Sequence, residues 1–433
     1  MFIKKLTLKN FRCFKTLEID FKGIIDIEQS LEQSSSLSSA SEPLPKNRAR
    51  TLILGENGTG KSNILKAIAL VTSGSNALGE LLGNVDDWIR YQTDECRIDL
   101  EMTIDDGSTR HIWLEMHRGD HLGDIMKRSS ESLQEIDAAL SHTDRNYFIV
   151  GYGSSRNAGS GGNSFKSKRS SSQRAQCVVS LLDKTAELNS IEEWALDLDY
   201  RSDGGMDVIR KVFDDFLPNT KFHSIDKKER RLLLETKDGI IPFSALSDGY
   251  QNMASWIGDI LYRINDIFYD RKEPLNTKGV LLIDEIALHL HPVWQRELLG
   301  FIQRTLPNMQ LIATTHSPFI AQQAGKAELY TIERVKNDLR MDVFSGDPSS
   351  LLLHQIVMSD VFGMPTDESV EVENLKKKRT SLSNRKDQSS KVKEELDDIN
   401  EKLKDMPTKS YSNSIINEEE HDTLKAILKT YKK

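Results

Sequence analysis

A glycine-rich segment that ends in lysine and serine is the part of this sequence best suited to hold phosphate groups. It runs from Gly55 to Ser62 and reads Gly-Glu-Asn-Gly-Thr-Gly-Lys-Ser. Glycines let the backbone N–H groups of such a P-loop wrap around phosphates, and the start of a following helix adds a favourable dipole. Lys61 would reach the β- and γ-phosphates of ATP, and Ser62 would ligate Mg²⁺. The residues that this pattern assigns to nucleotide binding are Gly55, Asn57, Gly58, Gly60, Lys61, Ser62 and Asn63.

An apolar stretch followed by two acids is the second element that could do chemistry. Val280–Ile283 precedes Asp284 and Glu285. In a phosphoryl-transfer site, Asp284 would hold the Mg²⁺ shell and Glu285 would orient and deprotonate the attacking water. A strand that merely ends in an acidic helix cap would give the same pattern. The P-loop favours the catalytic interpretation, because its chemistry needs a metal-binding acid at the end of a neighbouring strand.

A serine and a glycine open a predicted helix within Leu246–Gln251. Ser247 and Gly249 at such a helix start would form an anion-binding surface. An ordinary helix cap has the same composition. We therefore expect these two residues to bind phosphate only because the other motifs accompany them.

His316 is the third catalytic candidate, beside Lys61 and Glu285. It follows the apolar stretch Gln310–Thr315, which predicts a strand. We expect it at the same sheet edge as Asp284, where it could donate a hydrogen bond to the γ-phosphate. Without the other motifs, a structural histidine would be the simpler interpretation.

A turn near the N-terminus carries Asn10 and Arg12 between two predicted strands. Arg12 could contact a nucleotide phosphate, and we assign Asn10 to the same binding region. A solvated arginine in a turn explains the sequence equally well.

These side chains need a sheet whose strand ends meet at one edge, and the pattern of apolar residues predicts one. Strands alternate with helices, which indicates an α/β fold. Predicted strands are two within 1–21, one at 51–54, a hairpin over 96–117, one at 148–150, a pair around 237–239, and one each at 280–283 and 310–315. Predicted helices are 61–70, 177–235, 249–268 and 294–306.

Changes in composition divide the chain. Residues 1–365 form one predicted nucleotide-binding domain, called the head below, with a helical region over about 177–270. Two stretches within the head, about 28–50 and 154–175, are rich in serine and other polar residues, so we expect them to be mobile inserts.

Residues 366–433 are charged and form a predicted helical extension. Apolar residues recur there at spacings of four, three and four, which indicates an amphipathic helix over about 385–404. We interpret it as an element for assembly or partner docking, and a solvated surface helix fits equally well. The recurring residues are Val392, Leu396, Ile399 and Leu403.

Composition narrows the class of protein. The chain has 433 residues, of which 38% are hydrophobic and 29% charged, and no apolar run is long enough for a membrane span. Its three cysteines are far apart in sequence, so neither a disulfide framework nor a zinc site is indicated, which suits a cytoplasmic location. The net charge of −8 argues mildly against bulk coating of nucleic acid, although a local basic groove is compatible with it.

Taken in order, the five motifs resemble those of ABC-type ATPases of the SMC and RecF kind. The resemblance covers roughly 1–75 and 240–335. Two segments, 152–156 and 284–292, further resemble the stand-alone ATPases of bacterial anti-phage systems, nearest to the Septu ATPases. The similar segments are LTLKNFRCF (6–14), LSDGYQ (246–251), LLIDE (281–285), LHLHP (288–292), ATTHSP (313–318) and YGSSR (152–156).

The resemblance implies a P-loop ABC-type ATPase head with an N-terminal antiparallel β-subdomain, a helical signature subdomain and a C-terminal helical extension. It also implies a homodimer whose two heads sandwich two ATP molecules, with larger assemblies as an alternative. Each site would take its P-loop from one copy and Ser247 and Gly249 from the other. A separate nuclease effector would be the partner, of the HNH type for a Septu system, and DNA is a candidate ligand.

The chain also departs from the family pattern. Tyr250 stands between the signature glycine and Gln251, where the family usually has glutamine at once. The glutamine loop that senses Mg²⁺ has only Gln92 and Gln173 as candidates. His289 and His291 lie on a predicted turn before Pro292, where the resemblance implies a contact with the partner head rather than a metal site.

Three functions fit these motifs. The first is an ATPase that controls a partner nuclease in phage defence. The second is a RecF-like DNA-repair ATPase that clamps DNA, which would show a steep salt dependence of DNA binding. The third is a transporter ATPase subunit, which the start of the chain and the THSP segment argue against. We expect no long coiled-coil arms and no fused nuclease domain, because neither heptads nor an acidic metal-binding cluster is evident.

Overall fold

The computed structural model describes most of the chain and divides it into two compact units, Met1–Gly363 and Met364–Lys433. The described residues are 2–21, 50–104, 107–139, 148–158, 172–201, 205–216, 220–336, 338–364, 366–384 and 390–404. The strands, in chain order, are β1 (Phe2–Phe11), β2 (Phe14–Asp20), β3 (Arg50–Gly55), β4 (Glu95–Thr103), β5 (Thr109–His117), β6 (Ile149–Tyr152), β7 (Asn157–Ala158), β8 (Glu187–Leu188), β9 (Lys221–Asp226), β10 (Arg231–Thr236), β11 (Gly239–Pro242), β12 (Gly279–Ile283), β13 (Met309–Thr314), β14 (Leu329–Val335) and β15 (Asp338–Val343).

Helices connect these strands, as expected for an α/β protein. They are α1 (Lys61–Val71), α2 (Ser75–Leu81), α3 (Leu122–Arg128), α4 (Ser130–Ala139), α5 (Gln173–Leu182), α6 (Ile191–Arg201), α7 (Gly205–Phe216), α8 (Asp248–Ile267), α9 (Pro292–Thr305), α10 (Pro318–Ala321), α11 (Leu353–Val357), α12 (Val370–Ser383) and α13 (Ser390–Lys404). Short 3-10 helices lie at Val85–Trp88, Phe243–Ala245, Pro274–Asn276 and Pro348–Ser350.

The central sheet has six strands in the order β15-β14-β3-β13-β12-β6. β3, β12 and β13 are parallel to their neighbours, while β15 runs antiparallel at one edge. Consequently β3, β12 and β13 all end at the same sheet edge, which is where α/β proteins place their ligands. The predicted α/β class with a parallel sheet is confirmed.

The two faces of this sheet bury different parts of the chain, because alternate residues of a strand point to opposite sides. On β12, Val280 and Leu282 belong to one buried cluster, together with apolar residues of β1, β2, β4, β5 and α1. Leu281 and Ile283 belong to a second cluster with residues of α6, α7, α8 and α9. Burying each of these side chains stabilises the fold by about 1.5–3 kcal/mol.

An antiparallel sheet in the order β2-β1-β4-β5 contains the predicted N-terminal strands and hairpin. The side chain of Gln310 on β13 ties it to the central sheet. Its Oε1 accepts from Ile3 N at 2.7 Å and its Nε2 donates to Ile3 O at 3.0 Å. The side-chain amide thus makes the two hydrogen bonds to the Ile3 backbone that a paired strand would make. Gln310 is 2% exposed, which makes this pair of hydrogen bonds a fixed link between the two sheets.

The prediction that 177–235 is helical is correct for α5 to α7 but wrong for its last part. β9 and β10 form a three-stranded sheet with β11, and Leu232 and Leu234 both point into the core while Leu233 between them is only partly buried. Three consecutive leucines at 232–234 fit a helix and a strand equally well in sequence, and pairing with β9 and β11 decides for the strand. The predicted pair of strands around 237–239 is confirmed.

The second unit contains a helical hairpin of α12 and α13. Leu382, Ile399 and Leu403 form its buried centre. Val392 and Leu396 pack against that centre, so the apolar spacing seen in the sequence is the packing face of α13. Lys378 and Glu395 add an ion pair of 2.5 Å between the two helices.

The two predicted inserts lie largely outside the described residues. Of the first, Arg50 is described and begins β3; of the second, 154–158, which includes β7, and 172–175, at the start of α5, are described. Within the second, Arg156 is buried against the backbone of Asp284 and Glu285, which differs from the mobile insert expected there. No helix among the described parts of the chain has the length and apolar character needed to cross a membrane.

Candidate functional site

The P-loop connects the end of β3 to the start of α1, as its sequence predicts. Gly58 and Gly60 adopt φ values of 81° and 89°, the left-handed region that favours glycine. At Gly60, a Cβ atom would lie 2.7 Å from Phe14 Cζ and would also collide with Cys13 Sγ. The turn between β1 and β2 therefore packs directly on the loop, and the fold requires glycine there. The first hydrogen bonds of α1 run from Asn63 N and Ile64 N to Gly60 O. The backbone amides of Lys61 and Ser62 precede these bonds, so these two amides are available to a phosphate.

Lys61 is folded onto its own loop. Its Nζ donates to Gly55 O at 2.8 Å and to Glu56 O at 3.0 Å. Burial lowers the pKa of Lys61, while the charges of Glu285 and Asp284 oppose that shift. The ammonium group therefore lies beside both acids and at the mouth of the loop, within reach of a phosphate.

Ser62 and Asp284 meet across the gap between α1 and the end of β12. Ser62 Oγ donates to Asp284 Oδ1 at 2.9 Å. Thr314 Oγ1, at the end of β13, donates to the same oxygen at 2.7 Å. A hydroxyl and a carboxylate at this separation are the hard oxygen donors that Mg²⁺ prefers, so the pair fits the predicted cation.

A sharp turn follows β12 and aims Glu285 at the site. Glu285 has φ of 50°, which costs a residue other than glycine about 1–2 kcal/mol. Thr314 helps to hold the turn, since its Oγ1 accepts from Glu285 N at 2.8 Å and its carbonyl accepts from Ile286 N at 2.9 Å. Arg156 holds the other side: its Nη2 donates to Asp284 O and Glu285 O, both at 2.7 Å.

Glu285 and His316 face each other, with Oε1 and Nε2 3.1 Å apart. Burial raises the pKa of Glu285, and the charge of Lys61 partly offsets this. Burial and the Lys61 charge lower the pKa of His316, so its ring is neutral at pH 7. In the Nε2–H tautomer it donates to Glu285. A carboxylate whose pKa is raised is suited to accept a proton from an attacking water, and the bond from His316 can fix its orientation.

The turn that carries Asn10 and Arg12 reaches the first helix of the site. Both residues have φ of 48°. The Arg12 guanidinium lies 4.0 Å over the Trp88 ring and donates through Nη1 to Asn63 Oδ1 at 3.0 Å. Burial lowers the pKa of Arg12, and its Nε is buried with no hydrogen-bond partner among the described residues. Arg12 is therefore a packed side chain beside the P-loop helix, not a solvated one.

Ser247 and Gly249 lie at the start of α8, and no hydrogen bond joins either to a P-loop residue within the described parts of this chain. Ser247 is exposed, and its side chain makes no cap hydrogen bond. Its carbonyl accepts from Tyr250 N and Gln251 N at 2.9 and 3.1 Å. A Cβ on Gly249 would lie 3.2 Å from His289 O, so the start of α8 packs on the loop that follows Glu285.

The structure also places three other residues that the sequence singled out. Gln173 donates to Asp266 on α8 at 3.1 Å, and Gln92 lies exposed with φ of 64° in the turn before β4. His291 caps α9, where its Nδ1 accepts from Val293 N at 3.4 Å.

Sequence reasoning missed two residues of the site, Arg156 and Thr314. Both lay inside segments noted for their resemblance, but neither had a role there. A basic residue just after the strand at 148–150 was the one available signal for Arg156, because β6 ends at the same edge as β12. Thr314 could have been found as the polar residue that ends an apolar strand.

This chain is similar to known proteins in sequence and in fold. A family model described as "AAA domain, putative AbiEii toxin, Type IV TA system" matches residues 50–321. The Septu protein PtuA of Bacillus mycoides (strain KBAB4) is 25% identical over 320 residues, which is 73% of this chain and 38% of that protein. Septu protein PtuA of Bacillus thuringiensis is 36% identical over 117 residues, 26% of this chain and 29% of that one.

A retron Ec83 probable ATPase from Escherichia coli is 30% identical over 118 residues, covering 27% of this chain and 22% of its own length. The matches thus span less than two fifths of the length of these relatives. Among solved structures, an SMC head bound to the C-winged helix domain of ScpA superposes with a TM-score of 0.47 at 16% identity, over 80% of this chain and 98% of that one.

Proposed function

This chain belongs to the family described as "AAA domain, putative AbiEii toxin, Type IV TA system", and from that premise we propose that it is an ATPase whose hydrolytic sites are completed by a second copy of itself. The observation that carries the proposal is the convergence of Ser62, Asp284, Glu285 and His316 beside Lys61 at one sheet edge. These are the groups that phosphoryl transfer to water requires.

Within one copy, the P-loop amides and Lys61 bind the phosphates, while Ser62 and Asp284 would hold Mg²⁺. When bound, the cation neutralises charge on the β- and γ-phosphates. Glu285 accepts a proton from the attacking water, and His316 orients the Glu285 carboxylate and faces the γ-phosphate. Asn10, Arg12 and Asn63 border the nucleotide at the P-loop helix, together with Asn57 and the loop glycines.

The second copy would supply Ser247 and Gly249. Two features support this assignment: Ser247 is exposed without a side-chain cap bond, and the start of α8 packs on the loop that follows Glu285. A surface that carries both the start of α8 and the loop after Glu285 can present Ser247 and Gly249 to another copy. The same packing holds these two residues at a fixed position relative to the Glu285 turn of their own copy. ATP would then join two heads, and hydrolysis would release them.

The names of the related proteins suggest the cellular process in which this ATPase acts. Two of them are named Septu protein PtuA, and a third is a retron ATPase. We propose that the head dimer, alone or within a larger assembly, controls a separate nuclease in anti-phage defence, with an HNH-type enzyme as the expected partner. Such an ATPase would work in the cytoplasm, where phage DNA is the available target.

Mixing two inactive variants tests the shared site. Lys61→Ala removes the P-loop lysine, and Ser247→Arg blocks the signature. Each variant alone should hydrolyse no ATP, whereas a random mixture contains heterodimers with one intact composite site. We expect the mixture to recover up to about a quarter of the wild-type rate.

Ser244→Arg is the matched control, because Ser244 is exposed and lies three residues before Ser247. This variant should retain wild-type turnover. Full activity of Ser247→Arg on its own would exclude a signature supplied in trans. A mixture that stays inactive, although both variants bind each other, would do the same.

The partner is tested by copurification from the native host, followed by a DNA cleavage assay with and without ATP. Recovery of a nuclease whose activity depends on Glu285 supports the defence role. Absence of a copurifying nuclease, with no cleavage after addition of the neighbouring gene product, would contradict it. ATP-dependent, salt-sensitive binding to gapped DNA would instead favour the repair alternative.

A further inference from the structure

Arg156 is a buried cation to which the sequence motifs assign no role, although it ends the segment YGSSR (152–156). It lies in the short segment after β6, and only 7% of its surface is exposed. Its hydrogen bonds within the described parts of the chain go to backbone carbonyls rather than to carboxylates. Nη2 donates to the carbonyls of Asp284 and Glu285, and Nε donates to Gly153 O at 3.3 Å.

Those two carbonyls belong to the peptide groups on either side of the Glu285 backbone. The φ of Glu285 is 50°, so this turn is held in a conformation that the residue does not favour by itself. Hydrogen bonds from one nitrogen to both carbonyls draw them to the same side. Thr314 fixes the amides of Glu285 and Ile286 on the other side of the turn.

The position of Arg156 also links the turn to strand pairing. Tyr152, at the end of β6, accepts from Asp284 N at 2.8 Å, and Arg156 follows four residues later. The segment 152–156 therefore contacts both the start and the end of the Asp284–Glu285 pair. Burying a guanidinium costs free energy unless its N–H groups donate hydrogen bonds. A buried arginine at this position therefore indicates a role for those hydrogen bonds and not only for the volume of the side chain.

We propose that Arg156 is a positioning residue that fixes the backbone of Asp284 and Glu285, and so the direction in which the Glu285 carboxylate points at the attacking water. This inference rests on the proposed hydrolysis of ATP at this site. It assigns Arg156 no contact with nucleotide. Its removal should therefore lower kcat and leave nucleotide affinity unchanged, in contrast to the loss of a P-loop residue.

Two substitutions separate donor capacity from volume. Arg156→Met keeps much of the volume but donates nothing, so kcat should fall by about 10–100-fold, as for other supports of reacting groups. Arg156→Lys keeps a charged donor that can reach a carbonyl, so it should retain more activity than Arg156→Met. The dissociation constant for ATP should stay within about threefold of wild type in both.

Arg97→Met is the matched control. Arg97 lies on β4, and its ion pairs are with Asp99 and Glu115, which are not among the residues assigned to the site. It should leave both kcat and ATP affinity unchanged. If Arg156→Met weakens ATP binding as much as it lowers kcat, or behaves like the Arg97 variant, the positioning role is excluded.

Amide hydrogen exchange tests the same idea without hydrolysis. In nucleotide-free protein, peptides that cover 284–288 should exchange faster in Arg156→Met than in wild type or Arg97→Met. Unchanged exchange there overturns the inference, whatever the turnover. If the wild-type protein hydrolyses no ATP but the exchange still rises, the proposed function fails while the structural role of Arg156 stands.

Discussion

The Tyr250 ring meets the Trp294 ring edge to face, with centroids 4.1 Å apart and planes at 88°. Tyr250 lies in the first turn of α8, and Trp294 lies in the first turn of α9. This contact gives a structural reason for the tyrosine that interrupts the expected signature. It joins the helix that carries Ser247 and Gly249 to the segment that follows the catalytic turn.

Breaking this pair should destabilise the link between the two helices. Tyr250→Ala and Trp294→Ala should each lower the free energy of unfolding, and a double-mutant cycle should give a coupling of about 0.5–1.5 kcal/mol. Tyr250→Phe keeps the ring and serves as the control. Chemical denaturation of the wild type, the two single alanine variants and the double alanine variant measures the coupling. Additive effects of the two alanine substitutions would exclude a direct interaction.

Replacement of Lys61 should remove the main cationic contact to phosphate. We expect Lys61→Ala to bind ATP about 10- to 200-fold more weakly, since a charge-assisted hydrogen bond contributes about 1.5–3 kcal/mol. Titration with a fluorescent ATP analogue measures the affinity. Lys9→Ala, at an exposed position of β1, is the control and should bind normally. Equal affinity of the two variants would show that the loop binds without its lysine.

Glu285→Gln should separate binding from hydrolysis. The amide has nearly the same shape but cannot accept the proton, so turnover should fall by about 100- to 10,000-fold while ATP affinity persists. ATP should then accumulate a closed dimer, visible as an earlier peak in size-exclusion chromatography. Glu297→Gln, at an exposed position of α9, is the control. Turnover that survives in Glu285→Gln would remove Glu285 as the base.

Hydrolysis should decline toward acidic pH through the protonation of Glu285. A general base works only when deprotonated, and burial raises the pKa of this carboxyl despite the opposing charge of Lys61. The midpoint of the acidic limb should therefore lie above the ordinary glutamate value. The pH dependence of kcat/KM from about pH 5 to about pH 9 gives the profile, because kcat/KM reports the groups of the nucleotide-free protein. Circular dichroism at each pH checks that the fold is retained, and a midpoint at or below the ordinary value contradicts the assignment.

Deletion of residues 365–433 should affect assembly rather than nucleotide binding. The first compact unit ends at Gly363, so the whole site lies within the part that remains. We expect ATP affinity to be unchanged and the mass by light scattering to decrease by more than the deleted residues account for. If oligomer size per chain and ATP affinity both match the full chain, the extension has no role in assembly.

The sequence predicts the ends of β3, β12 and β13 well, because each buried strand is a short apolar run that stops at a polar motif. It does not predict Arg156, since a single arginine near a glycine and two serines resembles a solvated loop. Only the pairing of β6 with β12 brings the Arg156 side chain to the backbone carbonyl of Glu285. The left-handed φ of Glu285 is equally invisible in sequence, because it depends on partners at 156 and 314.

The bonds from Lys61 to Gly55 O and Glu56 O mean that nucleotide enters this site by exchange. The ammonium group has three N–H donors and two of them are used within the loop, so a phosphate that draws the lysine away from Gly55 O and Glu56 O gives up part of its attraction to these lost bonds. The same bonds give the ammonium group a place to return to when the product leaves. The carbonyls of Gly55 and Glu56 therefore compete with phosphate for the Lys61 ammonium group, and we expect this competition to favour release of the product.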